Sequence, residues 1–323
     1  MSFTRRHAAA GLAAGAAALP FSQAAAQVLV EKPDVEEPPA GLDTSQDAYE
    51  HMLAPVSING QGPFQFLMDT GANTSCVSRA LADKLDLTPG PTANVHTVVG
   101  VRQRPSVVID HLQVGSRSRK KVQAASLPFS SNDVDGVLGV DWLKGQRLVM
   151  GFKVRRLEIT KSREDRPEKD QVVVPARRRL GQLTIVDADL SGSRISAIID
   201  SGAQLTLCNA PLRKLVLDRE RRKGQPLEHV KVKLETLAGE PFQGEILYLP
   251  FVRLGGLHLG NVPVVYADMH VFDIWGLKTT PALVLGMDLL TQFETVSLDF
   301  GRSQVRFDIA GPQGLQALQG KIS

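Results

Sequence analysis

Phe66-Leu67-Met68-Asp69-Thr70-Gly71-Ala72 and Ala197-Ile198-Ile199-Asp200-Ser201-Gly202-Ala203 are two copies of one pattern, an apolar run ending in Asp-Thr/Ser-Gly-Ala, with the aspartates 131 residues apart. A single Asp-Thr-Gly is weak evidence, because short turn-forming tripeptides recur by chance. Here the apolar run before each copy carries its aspartate inward rather than out to a solvent turn. The glycine admits a tight backbone geometry that a side chain would block. Thr70 or Ser201 adds a hydroxyl small enough to donate a hydrogen bond within a crowded interface.

The repetition extends in both directions, and self-similarity of this kind decides the architecture. Upstream, residues 56–58 and 64–68 read as strands around the turn-forming Asn59-Gly60-Gln61-Gly62-Pro63, and residues 183–186 and 195–199 read as strands around a turn at 187–193. Downstream, Val137-Leu138-Gly139-Val140-Asp141-Trp142-Leu143 and Val284-Leu285-Gly286-Met287-Asp288-Leu289-Leu290 agree at five of seven positions, which makes chance agreement untenable. Each is followed by two short closing strands, 148–152 with 156–159 and 296–300 with 304–309. Residues 109–115 and 254–260 share apolar first, fourth and sixth positions before a glycine, so Gly115 and Gly260 are expected to end equivalent strands. These glycines are 145 residues apart, which places 14 extra residues in the second copy, within 212–247. Helical signal is confined to 78–85, 141–145 and 288–293, and the expected fold is all-β with a few short helices.

At 323 residues and 43% hydrophobic, the chain can bury a substantial core. Thr4-Arg5-Arg6-His7 precedes an alanine-rich apolar run at 8–19 and small residues at 24–26, the pattern of an export signal peptide over 1–26. The paired arginines resemble a twin-arginine signal, with general secretory export as the alternative, so a periplasmic or secreted location is expected. The apolar run is shorter than the roughly 20 residues needed to span a bilayer, so stable membrane insertion after signal cleavage is not expected. Without that segment 35 basic residues face 34 acidic ones, and no nucleic-acid partner is expected. Two cysteines, Cys76 and Cys208, are too few for a disulfide framework and are expected as buried free thiols. There is neither a Cys-x-x-Cys nor a His-rich cluster, so no metal site is expected. Residues 27–50, rich in Pro, Glu and Asp, read as a flexible leader. The N-terminal half then covers 51–160, a charged linker 161–179, the C-terminal half 180–311 and a tail 312–323.

The paired hydrophobic-hydrophobic-Asp-Thr/Ser-Gly-Ala segments, each followed at a distance by hydrophobic-hydrophobic-Gly, resemble the halves of retropepsin-like aspartic peptidases over nearly all of residues 52–309. In retropepsins two identical chains contribute one half each, and in pepsins both halves lie in one chain; this sequence resembles a fused retropepsin pair. The resemblance implies two related β-barrel halves about a pseudo-two-fold axis, with the active site between them. It implies a catalytic dyad of Asp69 and Asp200 sharing one proton, supported by Thr70, Gly71, Ser201 and Gly202. It implies an aspartic-type endopeptidase that acts on a polypeptide substrate with no cofactor and without dimerisation of the fused chain. Two hairpins stand where the family carries its substrate-covering flaps, 95–108 with Gly100 near its tip and 230–247 with Gly239. Neither contains a tyrosine, a departure from the pepsin-type flap. The competing reading is a non-catalytic peptide-binding or scaffold protein that retains the fold, against which both aspartates and both hydroxyl-glycine pairs are intact.

Overall fold

Each half is seeded by a hairpin whose two turn residues both have positive φ, Asn59 (51°) with Gly60 (80°) and Ser191 (47°) with Gly192 (89°). Two-residue turns of this kind match the right-handed twist of the strands they join. They connect Met52–Ile58 to Gln61–Met68 and Gln182–Leu190 to Ser193–Ile199. The computed structural model describes residues 40–47, 50–129, 133–168, 170–179, 181–223 and 230–309. The expected signal peptide, leader residues 27–39 and the tail lie outside the described residues.

The first half continues from its hairpin through Gly136–Leu138, Cys76–Ser78, Arg117–Leu127 and Gly100–Val114, and the last of these pairs back onto Met52–Ile58 to close a barrel. The second half repeats the order with Ala282–Leu285, Leu207–Cys208, Leu257–Tyr266 and Pro241–Leu254, closing onto Gln182–Leu190. In both, the strand that delivers the aspartate lies parallel to the Val-Leu-Gly strand, with Met68 opposite Leu138 and Ile199 opposite Leu285. A strand covered on both faces cannot alternate polar and apolar residues. Phe66, Leu67 and Met68, like Ala197, Ile198 and Ile199, are accordingly all buried.

A sheet joins the halves. Its strands run in the order Ala40–Asp43, Arg156–Lys161, Gln146–Gly151, Thr295–Asp299, Gln304–Asp308 and Gln171–Arg179, and neighbours are antiparallel throughout. The seam places Leu148 opposite Leu298 and Met150 opposite Val296, so a two-fold axis passes near Val149 and Ser297. Leu148, Met150, Leu157 and Ile159 from one half meet Val296, Leu298, Val305 and Phe307 from the other, all within 1% exposure. This shared layer is the floor of the molecule. At about 25 cal/mol per Å² of apolar area, burial on that scale is what fixes the two halves against each other.

The sheet corrects two readings of the sequence. Residues 40–43, assigned to a flexible leader, form an outer strand that pairs with Arg156–Lys161 and buries Ala40 and Leu42. Residues 171–179, assigned to the linker, form the matching strand at the opposite edge, where Val174 is buried. The two strands are equivalent by packing: a Cβ placed on Gly115 would meet Leu42 at 2.8 Å, and one on Gly255 would meet Val174 at 2.9 Å.

That pair also shows that Gly115 corresponds to Gly255 rather than to Gly260. Gly255 lies in the turn between Pro241–Leu254 and Leu257–Tyr266, whereas Gly260 sits inside the latter strand opposite Phe251. The second copy is then nine residues longer between aspartate and turn, not 14. Most of the difference is helix. Arg79–Lys84 has six residues and Ala210–Lys223 has 14, and both start ten residues after their aspartates. Ser78 caps the first by accepting from the Leu81 amide (3.1 Å), and Asn209 does the same for Leu212 (3.1 Å) in the second. The segments expected as helices at 141–145 and 288–293 are short turns of helix, Val140–Leu143 and Met287–Leu290.

Candidate active site

Asp69 and Asp200 emerge from the ends of their strands and face each other on the axis. The Asp69 amide is anchored to the Leu138 carbonyl and the Asp200 amide to that of Leu285, both at 3.0 Å. The Asp69 carboxylate accepts from the amides of Gly71 (2.8 Å) and Ala72 (3.0 Å), and that of Asp200 accepts from Gly202 (2.9 Å). A side chain on Gly71 would run into the Asp200 carboxylate, and one on Gly202 into that of Asp69. Only glycine lets the loops approach so closely.

Thr70 and Ser201 lock the loops together behind the carboxylates. The Thr70 hydroxyl donates to the Ile199 carbonyl (2.9 Å) and accepts from the Ser201 amide (3.0 Å). The Ser201 hydroxyl donates to the Met68 carbonyl (2.7 Å) and accepts from the Thr70 amide (3.1 Å). Both residues are buried, at 0% and 1% exposure, so each bond crosses from one half to the other out of reach of water. A buried polar group left without its partner costs about 1–3 kcal/mol, which is why the four bonds fix the relative position of the loops.

The sequence missed a second brace. Ser75, six residues after Asp69, accepts from the Gly139 amide (3.1 Å) and donates to Asp141 (3.0 Å). Thr206, six residues after Asp200, accepts from the Gly286 amide (3.1 Å) and donates to Asp288 (2.7 Å). The aspartate of each Val-Leu-Gly-x-Asp segment thus ties that segment to the active-site loop. Burial pushes both Asp141 and Asp288 above the usual aspartate range. The signal was present, since Asp141 and Asp288 match in both copies, but their partners lie on a different stretch of chain.

The dyad is strongly perturbed. Burial raises Asp69, while the Gly71 amide and a hydrogen bond with Asp200 pull it back down. Asp200 is driven well above the usual range, first by burial and then by the negative charge of Asp69. Two buried carboxylates in contact cannot both ionise cheaply, which favours a single proton held between them. Cys76 and Cys208 are buried and free, their thiols pushed up to about 12 by burial.

The two hairpins expected as flaps meet at their tips. The first, Thr88–Thr97 with Gly100–Val114, is longer than residues 95–108, and Gly100 opens its return strand with φ 138°. The second is Val230–Glu235 with Pro241–Leu254, and Gly239 (φ 76°) lies in its tip. Glu240 at that tip accepts from Arg102 Nε (2.9 Å), Thr97 Oγ1 (3.1 Å) and Arg104 Nη2 (3.4 Å) of the first hairpin. The apolar tips cross over. Val98 packs against the second half's cluster of Ile198, Met269, Phe272 and Trp275, and Leu237 against the first half's Leu53, Leu67, Val134 and Val137. His96 stacks on His270, and the His270 amide donates to the Val98 carbonyl (2.8 Å).

Two protein families match the chain in tandem, the gag-polyprotein aspartyl protease family over residues 54–145 and the aspartyl protease family over residues 186–289. No curated protein matches it. Each matched span contains one Asp-Thr/Ser-Gly segment, one brace residue and one Val-Leu-Gly-x-Asp segment, the parts that the two-fold axis brings together. The chain belongs to the aspartyl proteases, as two retropepsin-like halves fused in one polypeptide.

Proposed function

We propose that the protein is an aspartic endopeptidase in which Asp69 and Asp200 activate a water molecule for attack on a peptide bond. The observation that carries this reading is the buried pair of carboxylates, held face to face by Thr70 and Ser201 and both raised above the usual aspartate range by burial. The ionised carboxylate takes a proton from the water as its oxygen bonds to the peptide carbonyl carbon. The protonated partner donates to the carbonyl oxygen as it gains negative charge. The tetrahedral intermediate collapses when the C–N bond breaks and the nitrogen leaves with a proton from the dyad. This chemistry needs only the two carboxyl groups and the water.

The substrate is an extended polypeptide lying under the two hairpins, paired through its main chain as an added strand. Entry requires the tips to part, because Val98 and Leu237 fill apolar ground on either side of the dyad. The N-terminal signal pattern supports work in the periplasm or outside the cell. Incubation of the purified protein with an unstructured polypeptide, across acidic to neutral pH, tests the proposal. The expected result is cleavage within the chain that is lost in both Asp69→Asn and Asp200→Asn. Full activity in either variant overturns the dyad, and a folded protein that binds peptide without cleaving it returns the reading to a non-catalytic scaffold.

A further inference from the structure

The ladder beside each aspartate identifies its nearest neighbour on the adjoining strand. Leu53 lies opposite Leu67 and Thr184 opposite Ile198, so two further steps bring His51 beside Asp69 and Gln182 beside Asp200. Directly opposed residues on antiparallel strands place their side chains on the same face, with Cβ atoms about 5 Å apart. The two positions are equivalent, each 18 residues before its aspartate, yet they hold different chemistry.

Gln182 is neutral and reaches across the axis, where its Nε2 donates to the Gly71 carbonyl (3.1 Å) and to Asn73 Oδ1 (2.9 Å). His51 is ionisable and is held by its own loop. Its amide donates to Asp47 Oδ1 (3.0 Å), and its ring Nδ1 meets Asp47 Oδ2 at 2.7 Å. Both side chains of that pair are only 10% exposed, so their interaction with neighbouring charges is weakly screened. Among the described residues, Asp47 from its own loop and Asp69 from the adjoining strand end are charged groups beside the ring, with Asp200 beyond.

We propose that His51, clamped by Asp47, is a positioning residue that breaks the symmetry of the dyad, so that Asp69 serves as the base and Asp200 keeps the shared proton. In its protonated form the ring favours the negative charge on Asp69 and leaves the proton on Asp200, whose own neighbour is an uncharged amide. Burial raises Asp69 most, and the electrostatic influence of His51 is the last of the effects that lower it, after the Gly71 amide, the Asp200 hydrogen bond and the Ala72 amide. The inference rests on the peptidase reading of the dyad for its kinetic consequence, but not for the proton bias itself.

His51→Gln gives both aspartates the same neighbour. With the imidazolium gone, Asp69 ionises at higher pH, and the acid limb of the kcat/KM profile moves up by about one pH unit. Below that limb the loss approaches tenfold, while KM at the optimum stays unchanged. Gln182→His, the mirror substitution, draws the basic limb down, and it carries the test if His51→Gln does not fold. Carbon-13 titration of the carboxyl groups in the intact protein reads the same bias without turnover, as a rise in the lower of the two steps in His51→Gln. A shifted titration in a protein that cleaves nothing supports the bias and removes the peptidase reading. An unshifted titration and an unshifted acid limb in folded His51→Gln overturn the proposal and leave that reading standing.

Discussion

Thr70 and Ser201 occupy the same place in the two halves and make the same pair of cross-axis bonds, and Ser75 and Thr206 brace their loops in the same way. One strand further out the halves diverge. His51 stands where the second half has Gln182, and a helix of six residues stands where the second has 14. The first hairpin brings three donors to the tip contact, and the second answers with the single carboxylate of Glu240. Symmetry is retained by the groups that must meet on the axis and relaxed in those that approach from one side. A fused pair can therefore do what two identical chains cannot, which is to give each carboxylate its own surroundings.

The largest effect expected from breaking this comparison comes on the axis. Asp69→Asn and Asp200→Asn should each lower kcat by at least about 10²–10⁴-fold, since either removes one partner in proton transfer. Next come the hydroxyls behind them. Thr70→Val orphans the Ile199 carbonyl and the Ser201 amide, a cost of about 2–6 kcal/mol in denaturant unfolding, and Ser201→Ala should cost a similar amount. Clearly unequal values would show that the loops do not share their load.

The two aspartates also make stability depend on pH. Both are raised in the folded state, whereas unfolded aspartates release their protons near pH ~3.9. The fold's advantage is thus complete below that pH and is lost as pH rises toward the folded values. By calorimetry Asp200→Asn should raise Tm at pH 7 and leave it unchanged at pH 3. Asp69→Asn should act in the same direction, because burial raises Asp69 as well. The smallest effect belongs to the tips. Glu240→Gln should alter stability by under about 1 kcal/mol, while amide exchange in residues 97–100 and 236–240 becomes faster.

Much of this was legible in the sequence because the repeat carries its own controls. The Asp-Thr/Ser-Gly and Val-Leu-Gly-x-Asp segments recur with rigid content, and both belong to strands that pair with each other. The glycine equivalence failed for a physical reason. Leu254 closes one strand and sits three residues before the next begins, so the apolar spacing ending at Gly255 is reproduced at Gly260, and only the pairing of Leu254 with Leu257 separates them. The outer strand at Ala40–Asp43 was hidden because four residues carry too little periodicity, and its partner lies more than 100 positions away. The charge of residues 161–170 masked the strand that follows. His51 went unnoticed because its place beside Asp69 depends on an irregularity in register between Val56 and Ile58, which shifts the ladder by one residue.

The seam at Leu148 and Leu298 has a further consequence for how the molecule is joined. Each half keeps its own outer strand and its own closing strands, and the chain crosses from one to the other along the stretch 162–168, which is mostly exposed. A protease nick there would sever the covalent connection without removing any strand from the floor. The product would behave as a heterodimer: stable when concentrated, losing its cleft on dilution, and recoverable by mixing the two fragments.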